Sequence, residues 1–212
     1  MYLMDVKSKR SAGEKLPNEK IYPASLTKVM TAVVAIENLK DLQQEITLDP
    51  DIFPELYARD AARAGFEPGE RVRAIDLIYG ALLPSGAECC IGLAEAVSGS
   101  EEAFVALMNQ KAEKLRMKRR DLAVLFRYAL KSKIFREVIQ SHWHSTPGTN
   151  IHPDGITFYS TVFRNLSDSA VTGGEIKGGK TGYTNEAGYC LVSFFRDRGQ
   201  GIYSGYRRCI QS

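Results

Sequence analysis

Nothing in these 212 residues approaches the run of about 18–20 apolar positions that a membrane-spanning helix needs. The opening, Met1-Tyr2-Leu3-Met4-Asp5-Val6, has no basic leader and no long apolar segment, and Asp5 interrupts it, so it does not read as a secretory signal. The chain as it stands reads as soluble, and a mature protein with its signal removed would look the same. Charge of one sign is not in excess either. Lys+Arg is 28 against 25 for Asp+Glu, a net +3 that is too small to argue for nucleic acid. The four cysteines (Cys89, Cys90, Cys190 and Cys209) form no CxxC pair, which excludes a zinc ribbon or a thioredoxin-type redox site. Cys89 and Cys90 lie in an apolar run and read as small buried hydrophobes, while a disulfide between Cys190 and Cys209 stays open. What is present is ordinary globular composition: 44% hydrophobic residues, 25% charged residues and 18 glycines. These values exclude disorder, collagen and a small disulfide scaffold. There is no internal repeat and no low-complexity linker, so residues 1–212 are read as one continuous domain.

Tyr2–Val6 predicts a short strand. Ser25 to about Lys40 predicts a helix, because Leu26, Val29, Met30, Val33, Val34 and Ile36 recur at helical spacing and a serine after Pro-Ala suits its start. Residues 41–71, broken by Pro50, Pro54 and Pro68-Gly69, read as loop with short pieces of structure. Helices follow over Arg73–Leu83, Ala87–Val97, from Glu101 onward, Asp121–Leu130 and Ile134–Gln140. After residue 141 helical periodicity ends. Gly173–Thr184 and Gly188–Phe195 predict two strands joined by a turn, with Gln200–Tyr206 a weak third. One strand, then helices, then strands implies an α/β (α+β) fold in which N- and C-terminal strands share an antiparallel sheet beside a helical region.

Three short motifs stand out. Ser25-Leu26-Thr27-Lys28 opens an apolar helix, and residues at i and i+3 share a face, so Lys28 reaches the Ser25 hydroxyl. A lysine stripped of water has a depressed pKa, and as a neutral amine it can take the serine proton and leave a competent nucleophile. The helix start adds N–H groups and positive dipole for a developing oxyanion. The bland alternative is a capping serine beside a solvated lysine. Lys180-Thr181-Gly182, on a candidate strand, offers an ammonium and a hydroxyl to a carboxylate, with a glycine that admits a close backbone approach. Its alternative is an exposed strand or turn. Pro84-Ser85-Gly86-Ala87 puts a serine at a junction between helices, where it could equally be a helix stop and cap. Each of the first two patterns occurs once in the chain.

S-x-x-K, S-D-N and K-T-G form the signature of penicillin-binding proteins and class A β-lactamases, and here S-x-x-K, the Ser85 turn and K-T-G follow in that chain order. The segments PASLTKVMTA, LIYGALLPSG and GGKTGYTNEAGYCLVS resemble the bacterial serine D-alanyl-D-alanine carboxypeptidases, over most of the chain from Tyr2 to about Phe194. The resemblance implies a β-lactamase/transpeptidase-like fold. Ser25 would attack the D-Ala–D-Ala bond of a peptidoglycan stem peptide with Lys28 as general base. Ser85 would relay protons, with Lys180 supporting that network and the substrate carboxylate. Thr181, Gly182 and Tyr183 would bind substrate, Thr181 through the carboxylate, with the N–H groups of Ser25 and Tyr183 as the oxyanion hole. β-Lactams would be covalent inhibitors. It implies no metal or organic cofactor, no nucleic acid and a place outside the cytoplasmic membrane, and is silent on oligomeric state.

The sequence departs from that family at four places. Ala87 stands where the family carries the Asn of Ser-x-Asn. Met117 runs through Lys118-Arg119-Arg120 almost directly into Asp121-Leu122-Ala123, where relatives have a longer connection. Ser11-Ala12-Gly13 replaces an apolar second strand, and Gly199–Ser212 is less apolar than a central last strand. The all-β second domain and membrane-anchoring helix of many relatives are expected to be absent. These departures keep in play a non-catalytic module that binds peptidoglycan or a partner. A class A β-lactamase is disfavoured because no E-x-x-L-N segment supplies its deacylating carboxylate. A zinc site on His142-x-His144 with His152 lacks a completing acid or cysteine. These histidines and Trp143 read instead as a surface segment near the cleft.

Overall fold

A computed structural model of the chain describes residues 2–5, 11–14, 24–117, 122–164, 166, 169–171, 174–185, 188–197 and 202–209. Strands β1 (Tyr2–Asp5) and β2 (Ser11–Glu14) come first. A 3-10 turn, Ala24–Thr27, runs directly into α1 (Lys28–Asn38). The short strand β3 (Glu45–Thr47), helix α2 (Phe53–Ala58) and strand β4 (Arg71–Arg73) follow. Next come helices α3 (Ala74–Leu82), α4 (Ala87–Ser98), α5 (Glu101–Lys114), α6 (Leu122–Ala129) and α7 (Lys133–Gln140). A hairpin of β5 (Trp143–Ser145) and β6 (Thr157–Tyr159) leads into the single turn α8 (Thr161–Arg164). The chain then returns to strands β7 (Ala170–Val171), β8 (Gly174–Thr184), β9 (Gly188–Asp197) and β10 (Ile202–Cys209).

The main sheet is antiparallel, in the order β2-β1-β10-β9-β8-β7. The expected fold is therefore present, and strands form at two of the departures. Ser11–Glu14 pairs with β1 despite its polar sequence, because it lies at the sheet edge, where only one side needs a hydrogen-bonding partner. Residues 202–209 pair on both sides, with β1 and with β9, so the weak third strand expected over Gln200–Tyr206 is present and runs on to Cys209. The basic cluster at 118–120 lies outside the described residues.

The helices form where the periodicity places them, and their ends have physical causes. Ser100 caps α5 by accepting from the Ala103 N–H (3.2 Å), with Glu101 and Glu102 in the first turn and Lys111 and Lys114 in the last, as the dipole favours. Ser132 caps α7 by accepting from the Phe135 N–H (3.2 Å). Gly99, at φ 79°, ends α4 in the left-handed conformation that glycine adopts without a Cβ clash. Helix α1 is buried nearly all round, Val29 through Ala35, so it is the central rod of the helical region rather than a surface helix. Phe126 joins that region to the sheet by packing edge-on to Phe135 and tilted against Phe194 of β9. Each fully buried Leu or Phe of this core contributes about 1.5–3 kcal/mol of transfer free energy.

The sequence reading placed no strands in 41–71 or 141–160. In fact β3 pairs with β4 (Ile46 opposite Val72), and β5 pairs with β6 (His144 opposite Phe158). The 143–159 hairpin is fastened by two buried carboxylates. Asp76 of α3 accepts from Arg73 (Nε, 2.6 Å) and contacts His144 Nε2 at 2.7 Å, while the His144 ring stacks on Tyr79 at 3.6 Å. Glu70, wholly buried, contacts His152 Nδ1 at 2.9 Å and accepts from the Thr149 hydroxyl at 2.6 Å.

Candidate active site

Ser25 sits inside the 3-10 turn rather than at a helix cap, which corrects the single helix expected from Ser25. Thr27 occupies the cap position of α1 and makes no side-chain cap bond. The Ser25 hydroxyl is therefore not engaged in capping. It lies 3.3 Å from Lys28 Nζ, one turn away on the same face. Ala24, just before it, holds φ 48°, and Ser85 holds φ 76°. Non-glycine residues pay about 1–3 kcal/mol for such backbone; of the four described residues that do so, Ala24 precedes Ser25 and Ser85 is itself a candidate, while Asp60 and Arg116 lie elsewhere.

Strand β8 passes directly beside the 3-10 turn. A Cβ on Gly182 would stand 3.2 Å from the Ser25 amide nitrogen and 3.3 Å from Ala24 Cβ, so only glycine lets the strand come this close without displacing the turn. Further along β8, Gly178 lies under α7, where a Cβ would meet Ile139 O at 2.4 Å. Between them is Lys180, 0% exposed, whose ammonium donates to Thr181 O at 2.9 Å. Burial, reinforced by the charge of Lys28, brings the Lys180 pKa down to about 7, against a smaller opposing pull from Cys90. Thr181 is half-buried, and its hydroxyl is 2.6 Å from that of Thr161. Tyr183 is half exposed, with its ring against Tyr189 at 4.7 Å.

Ser85 is 7% exposed, and its Oγ has no hydrogen-bond partner among the described residues. The bland reading of Ser85 as a cap fails, because Gly86 occupies the cap position of α4 and makes no side-chain bond. Ala87 begins α4 with no polar side chain to offer, and its N–H donates to Ala62 O. The geometry thus brings Ser25, Lys28, Lys180, Thr181 and Gly182 together across the junction of turn, helix and strand. Ser85 is at the start of α4 with a hydroxyl still to be satisfied. An amine within reach of a strained serine hydroxyl, with backbone N–H groups alongside, is an arrangement suited to acyl transfer.

Three residues escaped the sequence reading. Cys90 is only half-buried, not a core residue like Cys89, and it shares the field of Lys28 and Lys180. Burial still pushes its thiol up to about 11. Its signal was its place three residues after Ala87, on the same face of α4. Glu88, wholly buried, accepts from the N–H groups of Ala64 (2.5 Å) and Gly65 (3.1 Å) and pins that loop against α4. Burial raises its pKa although both N–H groups oppose the rise. An acid in an apolar run was its only mark. Thr161 carried no signal at all.

The three histidines have other partners. His142 stacks on Phe163 at 3.8 Å, His144 is committed to Asp76 and His152 to Glu70. Among the described residues no cluster of three or more His, Cys, Asp or Glu could hold a metal. Trp143 is 60% exposed, as a surface segment requires. The open question of a Cys190–Cys209 bridge rests on a Cys209 side chain outside the described residues.

A six-stranded antiparallel sheet against a helical region, with a serine and a lysine one turn apart at their junction, defines the class of the β-lactamase-like, penicillin-binding DD-peptidases. The solved DD-transpeptidase of Streptomyces K15 has this fold, with a TM-score of 0.87 at 23% identity, covering 100% of this chain and 90% of that one. Penicillin-binding protein 5 from Haemophilus influenzae superposes with a TM-score of 0.81 at 21% identity, covering 100% of this chain and 64% of that one. The profile of the D-alanyl-D-alanine carboxypeptidase family matches residues 1–202, and the chain belongs to that family. Among curated relatives, DacC of Escherichia coli is 39% identical over 121 residues (53% of this chain, 30% of DacC). DacF of Bacillus subtilis is 27% identical over 197 residues (84% of this chain, 49% of DacF). The chain thus spans about half or less of the length of these two relatives.

Proposed function

We propose that the protein is a serine DD-carboxypeptidase that removes the terminal D-Ala from peptidoglycan stem peptides and is acylated by β-lactams. The observation that carries this reading is the 3.3 Å approach of Lys28 Nζ to a Ser25 hydroxyl that caps nothing, on a strained turn beside Gly182. Lys28, in its neutral form, takes the Ser25 proton as Oγ bonds to the penultimate carbonyl carbon. The oxyanion is held by the backbone N–H groups of Ser25 and Tyr183. The C–N bond then breaks, and the proton passes through Ser85 to the departing amine of D-Ala. Water hydrolyses the acyl-enzyme and returns the hydroxyl. Thr181 binds the free carboxylate. Lys180, too buried to touch substrate directly, sets the charge around Lys28 and Ser85. Such a substrate places the protein at the cell envelope.

The test is the intact mass after incubation with benzylpenicillin, for the protein and for Ser25→Ala. The expected result is an adduct of one penicillin that is absent from the variant, followed by release of D-Ala from a stem-peptide analogue. A folded protein that takes no adduct overturns the enzymatic reading in favour of a non-catalytic binding module.

A further inference from the structure

The Thr181 hydroxyl does not act alone. Its partner is Thr161, the first residue of α8, at 2.6 Å between oxygens. The backbone of Thr161 is tied elsewhere: its N–H donates to Leu83 O at 3.1 Å, two residues before Ser85. One threonine therefore joins the turn that carries Ser85 to the strand that carries Thr181. The preceding residue, Ser160, is 2% exposed, and its N–H donates to His142 O at 2.8 Å, so the approach to Thr161 is fixed as well. Both threonines are half-buried and both are β-branched, which limits their χ1 freedom.

Two hydroxyls in contact share one proton between them and keep one proton free at the end of the pair. When Thr161 donates to Thr181, the free proton belongs to Thr181, and the bond it receives polarises its own O–H. A carboxylate selects that arrangement, because it can accept but not donate. From this geometry we infer that Thr161 is a positioning residue for anion recognition. It orients the Thr181 hydroxyl towards the free carboxylate of the substrate, and so helps set the preference for a chain terminus over an internal bond. The inference deepens the acyl-transfer reading and rests on it.

The test compares acylation by benzylpenicillin with acylation by its methyl ester, in which the same ring carries no anion. Thr161→Val keeps the shape and removes the hydroxyl, whereas Thr161→Ser keeps the hydroxyl. The acid-to-ester ratio of second-order rate constants is expected to fall about tenfold in Thr161→Val, the lower range for a hydrogen bond to a charged group. Thr161→Ser should restore it to within about twofold, since it rebuilds the same bond. Equal losses on acid and ester in Thr161→Val, or no loss on either, would overturn the inference, the first by showing a merely structural role. A serine in place of Thr161 that fails to restore the ratio would overturn it as well. A wild-type protein acylated by neither compound overturns the acyl-transfer reading itself, and this inference with it.

Discussion

Lys180 is the group whose removal should change how stability depends on pH. Its ammonium is wholly buried, and its pKa is about 7 in the folded chain against an ordinary 10.5. Between those values the unfolded chain holds the proton and the folded chain does not, so stability rises with pH across that window. Below about pH 7 both states are protonated and the penalty for burying the charge is fully present. With a folded pKa of 7, integration from pH 6.5 to 8.5 gives a gain of about 2 kcal/mol, at about 1.4 kcal/mol per pH unit where the slope is full. This range stays below the thiols, whose burial would act in the opposite direction at higher pH. Lys180→Met fills similar space without a charge. Urea unfolding of wild type and variant at half-unit steps of pH should show the gap between them shrinking by about 2 kcal/mol from pH 6.5 to 8.5. The variant should be the more stable at the acid end. A constant gap would mean that Lys180 keeps its proton throughout, and would refute the account of an amine that burial strips of its charge.

The same geometry carries two further expectations. Gly178→Ala should place a methyl 2.4 Å from Ile139 O and 2.9 Å from Phe194 Cε1. Lifting α7 off β8 to relieve that clash should cost about 1–3 kcal/mol, read as a lower melting temperature together with slower acylation. Asp76 is 1% exposed. Burial alone would raise its pKa, but hydrogen bonds from His144 and Arg73 overcome this and hold it below the usual carboxylate value. Its stabilisation is therefore present above the ordinary carboxylate pKa and lost as pH falls through the lowered one. Asp76→Ala should cost about 3 kcal/mol, the low end for breaking a buried pair because Arg73 remains a third exposed, and should make the acid limb in a pH series of melts shallower.

What could be read before the structure was what is local in the chain. The helices α1 and α3 to α7 repeat their apolar residues often enough for a period to show, and β8 and β9 are long strands joined by a turn signal. Strands β3 to β6 have three residues each, too few for a period, and β3 meets β4 only after a long excursion. In the site, Ser25 and Lys28 were legible because one helical turn joins them. Lys180, Thr181 and Gly182 were legible because they adjoin. Thr161 was not, because nothing at positions 160–164 announces that they will pass beside β8. Cys90 read as core because an apolar run hides which face of α4 turns towards two lysines.

The charge balance of the centre bears on how it works. The groups that act on Lys180 are Lys28 and Cys90, and neither is an anion near neutral pH, since burial keeps the Cys90 thiol protonated to about pH 11. No carboxylate of the described residues is among the groups that shift Lys180. When Lys180 gives up its proton near pH 7, one positive charge is removed from the surroundings of Lys28. On the proposed reading, negative charge arrives with the reaction itself, first a substrate carboxylate at Thr181 and then an oxyanion beside Ser25. On that reading, the proton that Lys28 takes from Ser25 puts a positive charge beside the developing oxyanion, and a charge pair present in that state but not before it is what lowers a barrier. Among the described residues the Ser85 hydroxyl has no partner, which leaves it free to take up the hydrogen bonds that a proton relay to the leaving amine needs on the proposed reading.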